Sequence, residues 1–198
     1  APKVFEAFGV PVYQAPGFEA DDCVGTIVKN MQKKDVEIVI ATGDLDTLQL
    51  VSGTKVRVYT LRQGLNDTIL YDEDRVRERY GFGSEHITDY KGLRGDPSDN
   101  IKGIPGIGEK TATLLITEFG SIEDIYEALN DDPEEFEKAG VKPRIVSLLK
   151  EGEKAARFSK ELATIHLDAP ISFSLPKEPW QLGDHLNTIV ALCDEFEF

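Results

Sequence analysis

A short β-branched run constrains the fold of this 198-residue chain more than any other feature. Residues 36–41 read Val-Glu-Ile-Val-Ile-Ala and are followed directly by Thr-Gly-Asp. A nearly continuous apolar run of this length is typical of a strand that is buried in a parallel sheet. Ligands bind such sheets at the carboxyl ends of the strands. The run therefore predicts an α/β fold with a site at residues 43–46.

The rest of the chain divides into a strand-containing part and a helical part. A helix that opens with acids is predicted at residues 20–32, and strands are predicted at residues 10–15, 55–60 and 67–71. After Asp72 the strand signals disappear, and Gly and Pro separate helical segments. The helices are expected at residues 72–80, 84–93, 109–118, 121–129, 143–149, 153–164 and 182–198. We therefore predict an α/β core at residues 1–80 and a helical region at residues 81–198.

Charge and cysteine content limit the partners and the compartment. The chain has 36 acids against 22 Lys and Arg, a net charge of −14, which disfavours a polyanionic partner unless the charge is unevenly distributed. No apolar run approaches the roughly 18 residues that cross a membrane. The N-terminus also lacks the pattern of a secretory signal. Cys23 and Cys193 lie far apart and do not suggest a disulfide framework. We expect a cytoplasmic protein with no membrane partner.

Seven acids occur in three short clusters at predicted turns or helix starts. The clusters are Glu19, Asp21 and Asp22; Asp44 and Asp46; and Asp96 and Asp99. Carboxylates that are brought together repel one another, and a divalent cation such as Mg²⁺ removes that cost. The three histidines are isolated, which disfavours zinc. Each cluster alone is also compatible with a helix cap or a turn. Their joint occurrence favours a metal site.

A glycine-rich segment at residues 104–112 joins two predicted helices. Gly106 and Gly108 permit close approach of a backbone, and the helix that follows has free N–H groups that attract phosphate. Lys110 adds a positive charge. A plain turn between two helices is the alternative interpretation.

Basic residues are concentrated in one part of the helical region. Residues 142–160 carry a local net charge of +4 in a chain of −14. With Lys91, Arg94, Lys102 and Lys110 they are able to form a stripe that follows a nucleic-acid backbone. A solvated helix face explains the run equally well.

Four motifs give the chain a family resemblance. They are residues 19–22 (Glu-Ala-Asp-Asp), 42–46 (Thr-Gly-Asp-Leu-Asp), 90–100 (Tyr-Lys-Gly-Leu-Arg-Gly-Asp-Pro-Ser-Asp-Asn) and 104–112 (Ile-Pro-Gly-Ile-Gly-Glu-Lys-Thr-Ala). In sequence and order they closely resemble the 5′-nuclease domain of bacterial DNA polymerase I, a flap-endonuclease-like 5′-3′ exonuclease. The resemblance implies a PIN-like α/β fold, with a mostly parallel sheet flanked by helices and a helix-three-turn-helix subdomain.

The resemblance also implies roles for individual residues. The seven acids would hold two Mg²⁺ or Mn²⁺ ions, with Asp22, Asp44 and Asp46 as catalytic residues. The substrate would be DNA with a 5′ flap or a 5′ end. A K⁺ ion is implied at the helix-three-turn-helix. The residues that would contact DNA are Lys91, Arg94, Gly106, Gly108, Lys110 and Thr111.

The family pattern contains more than these motifs. It begins with a strand that carries a metal-binding Asp and continues into a helical arch, and both precede the part that residue 1 matches. We therefore expect a fragment, a cleaved product or a chain whose fold is completed by a missing N-terminal segment that another chain supplies. As part of a DNA polymerase I, the chain would be followed by a polymerase domain.

The leading hypothesis is a metal-dependent 5′-3′ exonuclease and 5′-flap endonuclease that acts in DNA replication and repair. A non-catalytic fragment that binds duplex DNA is the alternative. A Mg²⁺ phosphatase with Asp44 as nucleophile is a third reading, but it leaves residues 96–100 and 104–112 without a role.

Overall fold

A computed structural model describes residues 2–63 and 67–197 of the chain. The described residues form two compact units, one from residues 2–27 and 166–197 and the other from residues 28–63 and 67–165. The sequence-based division at residues 80 and 81 follows the change from strands to helices instead, and it stays a prediction. Within the described ranges, no helix is both long and apolar enough to cross a membrane.

The helices lie close to the predicted segments. In chain order they are α1 (Pro2–Ala7), α2 (Ala20–Met31), α3 (Glu73–Tyr80), α4 (Ile87–Arg94), α5 (Glu109–Phe119), α6 (Ile122–Asp131), α7 (Glu134–Lys138), α8 (Pro143–Ala163) and α9 (Leu186–Glu195). Short 3₁₀ helices occur at Leu45–Leu50, Ser84–His86 and Leu182–His185.

Both ends of the chain meet in the first unit. Helices α1 and α9 pack together there. A small core forms from Ala15, Cys23 and Ala169, with Phe18 and Ile171 against it. Both cysteines are free thiols.

The strand predicted at residues 10–15 is wrong. These residues are irregular in structure, and no described strand pairs with them. Val10 and Val12 are 41% and 51% exposed. The proline at position 11 has no N–H to donate to a neighbouring strand. The apolar run was therefore a weaker signal than the proline inside it.

A three-stranded sheet lies in the second unit, in the order β1-β2-β3. Strand β1 (Ile38–Ala41) pairs in parallel with β2 (Val56–Gln63), with Ile40 opposite Val58. Strand β3 (Asp67–Tyr71) pairs with β2 in antiparallel orientation. The α/β class is confirmed, and the sheet is mixed. Strands β2 and β3 are too close in sequence for the crossover that a parallel pair needs.

The prediction of two separate helices at residues 143–149 and 153–164 is wrong. Residues 143–163 form one continuous helix, α8. Gly152, at the predicted break, packs against Ile104: a Cβ at this position would lie 2.8 Å from Ile104 Cγ2. The glycine therefore allows close packing and does not end the helix.

A buried ionic network holds α4, α6 and α8 together. The side chain of Asp89 on α4 is 3% exposed and accepts hydrogen bonds from Lys160 Nζ on α8, at 2.6 Å, and from the Ile122 N–H at the start of α6, at 2.9 Å. Gly92, one turn further along α4, lies against Ile122 and the Ala156 carbonyl. These contacts fix α4, whose C-terminal end leads into the acidic loop described next.

Candidate metal centre

Three of the predicted metal ligands converge in the second unit. Asp46 lies in the 3₁₀ helix that follows β1, and Asp96 and Asp99 lie in the loop that follows α4. One carboxylate oxygen from each of the three side chains lies within 4.8 Å of the other two. These acids thus lie near the carboxyl end of β1, where the sequence placed a site. The predicted burial of this strand is wrong, because only Ile40 is buried and Val39 is 51% exposed.

Hydrogen bonds hold the 3₁₀ helix of Asp46 in place. The side chain of Asp44 caps this helix by accepting a hydrogen bond from the Asp46 N–H at 2.9 Å. The side chain of Gln49 donates to the Ala163 carbonyl at 3.0 Å and accepts from the Ile165 N–H at 2.9 Å. Leu48, which belongs to this 3₁₀ helix, is fully buried. Asp46 is therefore positioned by both the sheet and the end of α8.

The loop that carries Asp96 and Asp99 is closed by its own backbone. Asp96 and Ile101 exchange two N–H to carbonyl hydrogen bonds, each 2.8 Å long. Gly95 has a φ of +78° and Gly103 a φ of +58°, a region that favours glycine. A Cβ on Gly103 would lie 2.2 Å from the Gly95 nitrogen. No larger residue fits this crossing, so both glycines serve to hold the acidic loop.

Asp44 lies beside the three converging acids but outside their group. It is exposed and lines the same cleft as Asp46 and Asp96. Its side chain is engaged by the backbone of the 3₁₀ helix. Asp44 therefore caps the 3₁₀ helix through its Oδ1.

The position of Lys91 differs from the one that the sequence predicted. The sequence predicted a DNA contact, but the ammonium of Lys91 lies among the carboxylates, with its side chain only 10% exposed. Its Nζ contacts Asp46 and lies 2.7 Å from Asp96 Oδ2 and 3.7 Å from Asp99 Oδ2. A single lysine thus compensates part of the negative charge of all three acids.

Burial and charge shift the pKa values in this cluster in different directions. Burial raises the pKa of Asp46 to about 6, against the opposing effect of Lys91. Burial also acts to raise the pKa of Asp96, but hydrogen bonds from Lys91 and Ser98 outweigh it and lower that pKa below the ordinary value. Burial opposes the charge of Lys91, yet its bonds to the acids raise its pKa. The positive charge of Lys91 therefore stabilises the ionised forms of Asp46 and Asp96.

The other three predicted ligands lie in the first unit. Glu19 is exposed, Asp21 is half-buried, and Asp22 is 7% exposed. The carboxylate of Asp22 accepts the Glu19 N–H at 2.9 Å and the His166 N–H at 2.8 Å. Asp22 therefore ties the start of α2 to the segment after α8, and metal ligation by this group stays a prediction.

The predicted phosphate-binding turn lies at the start of α5. Gly108 is the N-cap of this helix, and space around it is open, because a Cβ there would meet no atom within 4 Å. Gly106 has a φ of +92°, and both Gly106 and Lys110 are exposed. Thr111 is half-buried one residue further on. The free N–H groups of α5 thus face solvent next to a lysine.

The basic segment at residues 142–160 separates into two groups. Lys142, Arg144, Lys150 and Lys154 are exposed and form no ion pair with a described acid. Arg157 and Lys160 are bound by Glu123, and Lys160 also by Asp89. The last two are therefore structural, and the first four are open to an anionic partner.

Sequence reasoning missed two of the residues that line the site. A cleft of about 410 Å³ is lined by Asp44, Asp46 and Asp96 and also by Arg79, Tyr80, Tyr90 and Arg94. Arg79 and Tyr80 end α3, and no motif had drawn attention to them. The only signal in the sequence was an arginine next to a tyrosine at the end of a predicted helix.

Two family models together match most of the chain. A model described as 5′-3′ exonuclease, N-terminal resolvase-like domain, matches residues 1–81. A model described as 5′-3′ exonuclease, C-terminal SAM fold, matches residues 82–185. The boundary between the two models lies between residues 81 and 82.

Relatives and solved structures point the same way. DNA polymerase I of Chloroflexus aurantiacus is 37% identical over 198 residues, which is 99% of this chain and 20% of that protein. The chain thus spans about a fifth of the length of the curated relatives it matches.

Among solved structures, the T5 5′-exonuclease with divalent metal ions (zinc) bound has a TM-score of 0.64 at 25% identity, and the match covers 78% of this chain and 52% of that one. The bacteriophage T5 flap endonuclease, in a pseudo-enzyme-product complex with DNA and metal ions, has a TM-score of 0.64 at 22% identity. That match covers 94% of this chain and 58% of the other, and it supports the fold.

Proposed function

Because the chain belongs to the 5′-3′ exonuclease family, we propose that it hydrolyses phosphodiester bonds near a 5′ end or 5′ flap of DNA, with divalent metal ions, in replication and repair. One observation carries this proposal: carboxylate oxygens of Asp46, Asp96 and Asp99 lie within 4.8 Å of one another. The chain has the parts of a nuclease, an acidic cluster at a cleft and a separate basic surface.

The donor set fits a hard divalent cation. It consists of carboxylate oxygens only, without histidine or cysteine, and Mg²⁺ and Mn²⁺ prefer such donors. Asp46, Asp96 and Asp99 would hold one ion. We infer that Asp44, with Glu19, Asp21 and Asp22 of the first unit, completes the ligands of a pair. When bound, such ions polarise the phosphodiester and generate hydroxide.

The chain's own residues would bind and orient the DNA. A phosphate that enters the cleft would meet the ammonium of Lys91, which the bound ions would displace from the acids that it contacts here. The start of α5, with Gly106, Gly108, Lys110 and Thr111, would bind the phosphates of the duplex, and we place the K⁺ ion there. Because these contacts reach only phosphates, binding should be sensitive to salt and nearly independent of base sequence.

A cleavage assay with isosteric variants tests this function. Asp46→Asn and Asp96→Asn each remove a ligand charge while keeping side-chain size. We expect each to lower single-turnover cleavage of a labelled 5′-flap DNA, with Mg²⁺ or Mn²⁺, by at least about 100-fold. Asp35→Asn, at an exposed acid in the turn after α2, is the matched control and should cleave like the wild type.

The same assay separates the alternatives. Unchanged cleavage by Asp96→Asn would refute the metal assignment. A wild-type chain that binds flap DNA but does not cleave it with either metal would instead identify a non-catalytic DNA-binding fragment. The involvement of a polymerase domain or of a further N-terminal segment stays a prediction, as does the cytoplasmic location.

A further inference from the structure

The cleft that the acids line is also lined by two arginines and two tyrosines. Arg79 ends α3 next to Tyr80, and Arg94 ends α4 one turn after Tyr90. All four residues line the same cleft as Asp46 and Asp96. The cleft thus combines carboxylates with two guanidinium groups.

Both guanidinium groups are held by aromatic rings. The Arg79 guanidinium carbon lies 5.3 Å from the centre of the Tyr80 ring and 5.7 Å from that of Tyr71, and its Nη1 donates to the Tyr71 hydroxyl at 2.5 Å. Arg94 lies 5.7 Å from the centre of the Tyr90 ring. Such stacking restricts the orientation of a guanidinium while its N–H groups remain available for an acceptor.

The two arginines differ from their neighbours in having no acidic partner. Arg75 and Arg77, on the same helix as Arg79, form ion pairs with Glu78, at 3.1 Å, and with Glu85, at 3.2 Å. Neither Arg79 nor Arg94 forms an ion pair with any acid in the described part of the chain. Two positive charges are thus oriented at the mouth of an acidic site without being neutralised by it.

We propose that Arg79 and Arg94 form a phosphate clamp, which binds backbone phosphates of the DNA strand next to the bond that is cut. Tyr80 and Tyr90 are positioning residues that orient the two guanidinium groups. The clamp rests on the proposed function for the identity of its ligand, a nucleic-acid strand. Guanidinium groups match phosphate oxygens in geometry and in charge. The acids repel the same phosphates, so the clamp also holds the strand against that repulsion.

Binding measured without cleavage tests the clamp by itself. Fluorescence anisotropy of a labelled 5′-flap DNA, in EDTA and over a range of salt concentrations, gives an affinity and a salt slope. We expect Arg79→Gln and Arg94→Gln each to weaken binding about tenfold and to reduce the slope of log K against log salt by about one. Arg75→Gln, on the same helix and of the same charge change, is the matched control.

Two further variants separate charge from orientation. Arg79→Lys keeps the charge but not the planar group, so it should keep the slope and lose part of the affinity. Tyr80→Leu removes the stacking ring and should lower affinity with the slope unchanged, a pattern that a merely structural defect does not produce. Circular dichroism melting of every variant confirms that it is folded.

The outcomes for the clamp and for the nuclease are distinguishable. If Arg79→Gln and Arg94→Gln bind with the affinity and the slope of Arg75→Gln, the clamp is refuted, whatever the cleavage assay gives. If both variants lose affinity and slope but the wild type cleaves nothing, the clamp stands and the nuclease function fails. Because Arg79→Lys retains the positive charge and a long aliphatic stem, it decides the question for that position if Arg79→Gln does not fold.

Discussion

Replacement of Lys91 by methionine is the sharpest test of how the acidic cluster is balanced. The variant removes the ammonium that contacts Asp46 and lies 2.7 Å from Asp96. The side chains of these two acids are only 23% and 16% exposed, and the variant leaves them without a cation. Breaking a buried ion pair by removing one partner costs about 3–5 kcal/mol. Taking about 3 kcal/mol, and about 2–4 °C per kcal/mol for a chain of this size, we expect Tm to fall by about 6–12 °C in EDTA.

Divalent metal should remove much of this difference. An ion that takes the oxygens of Asp46, Asp96 and Asp99 replaces the charge compensation of Lys91, so the lysine is worth less when the ion is bound. We therefore expect saturating Mg²⁺ to reduce the Tm difference between wild type and Lys91→Met to less than about half its value in EDTA. Differential scanning calorimetry in both conditions measures the four Tm values.

The control for these Tm measurements is Lys102→Met, at an exposed lysine that forms no ion pair with a described acid. It should change stability by no more than about 0.5 kcal/mol in either condition. A Lys91→Met protein as stable as wild type in EDTA would refute the charge-balance reasoning. A Tm difference that is the same with and without Mg²⁺ would show that the metal and the lysine do not share these acids.

Three further changes test the framework around the site. Asp89→Asn should lower stability by about 3 kcal/mol in urea unfolding, because Lys160 loses its buried counter-charge; a change below about 1 kcal/mol contradicts this role. Gly152→Ala should lower Tm by about 2–4 °C despite its better helix propensity, since the added methyl overlaps Ile104, and a higher Tm would show that the packing relaxes. Burial acts to raise the pKa of Glu123, but its Lys160 hydrogen bond and nearby charges lower it overall. The stability that this carboxylate contributes relative to Glu123→Gln should therefore be complete above its ordinary pKa of 4.5 and decline as the pH falls, and urea titrations that show the opposite trend would contradict the assignment.

Local patterns predicted most of the elements of the second unit. The β-branched run became β1, at Ile38–Ala41, and the last predicted strand matches β3, at Asp67–Tyr71. The Gly-Asp pair after β1 lies at a strand end and a glycine turn, which are encoded over a few residues, and the metal-binding role of Asp44 and Asp46 stays a prediction. The capping box of Ser121 and Asp124 likewise begins α6 where a helix was expected.

Features that depend on distant contacts were not accessible in this way. Gly152 is a helix breaker by propensity, and only the presence of Ile104 explains a continuous α8. Lys91 has the pattern of a surface cation, and its inward position follows from acids that are 45 and five residues away in sequence. The stacking of Arg79 on Tyr71 depends on how α3 packs on β3, which no local window contains.

The most direct test of the metal centre is an anomalous difference map from crystals of the chain grown with Mn²⁺. We predict a Mn²⁺ peak within about 2.0–2.2 Å of carboxylate oxygens from Asp46, Asp96 and Asp99, with the Lys91 ammonium displaced from them. Anomalous peaks that lie only elsewhere, or well-ordered crystals in which Lys91 still contacts all three acids at saturating Mn²⁺, would contradict the account.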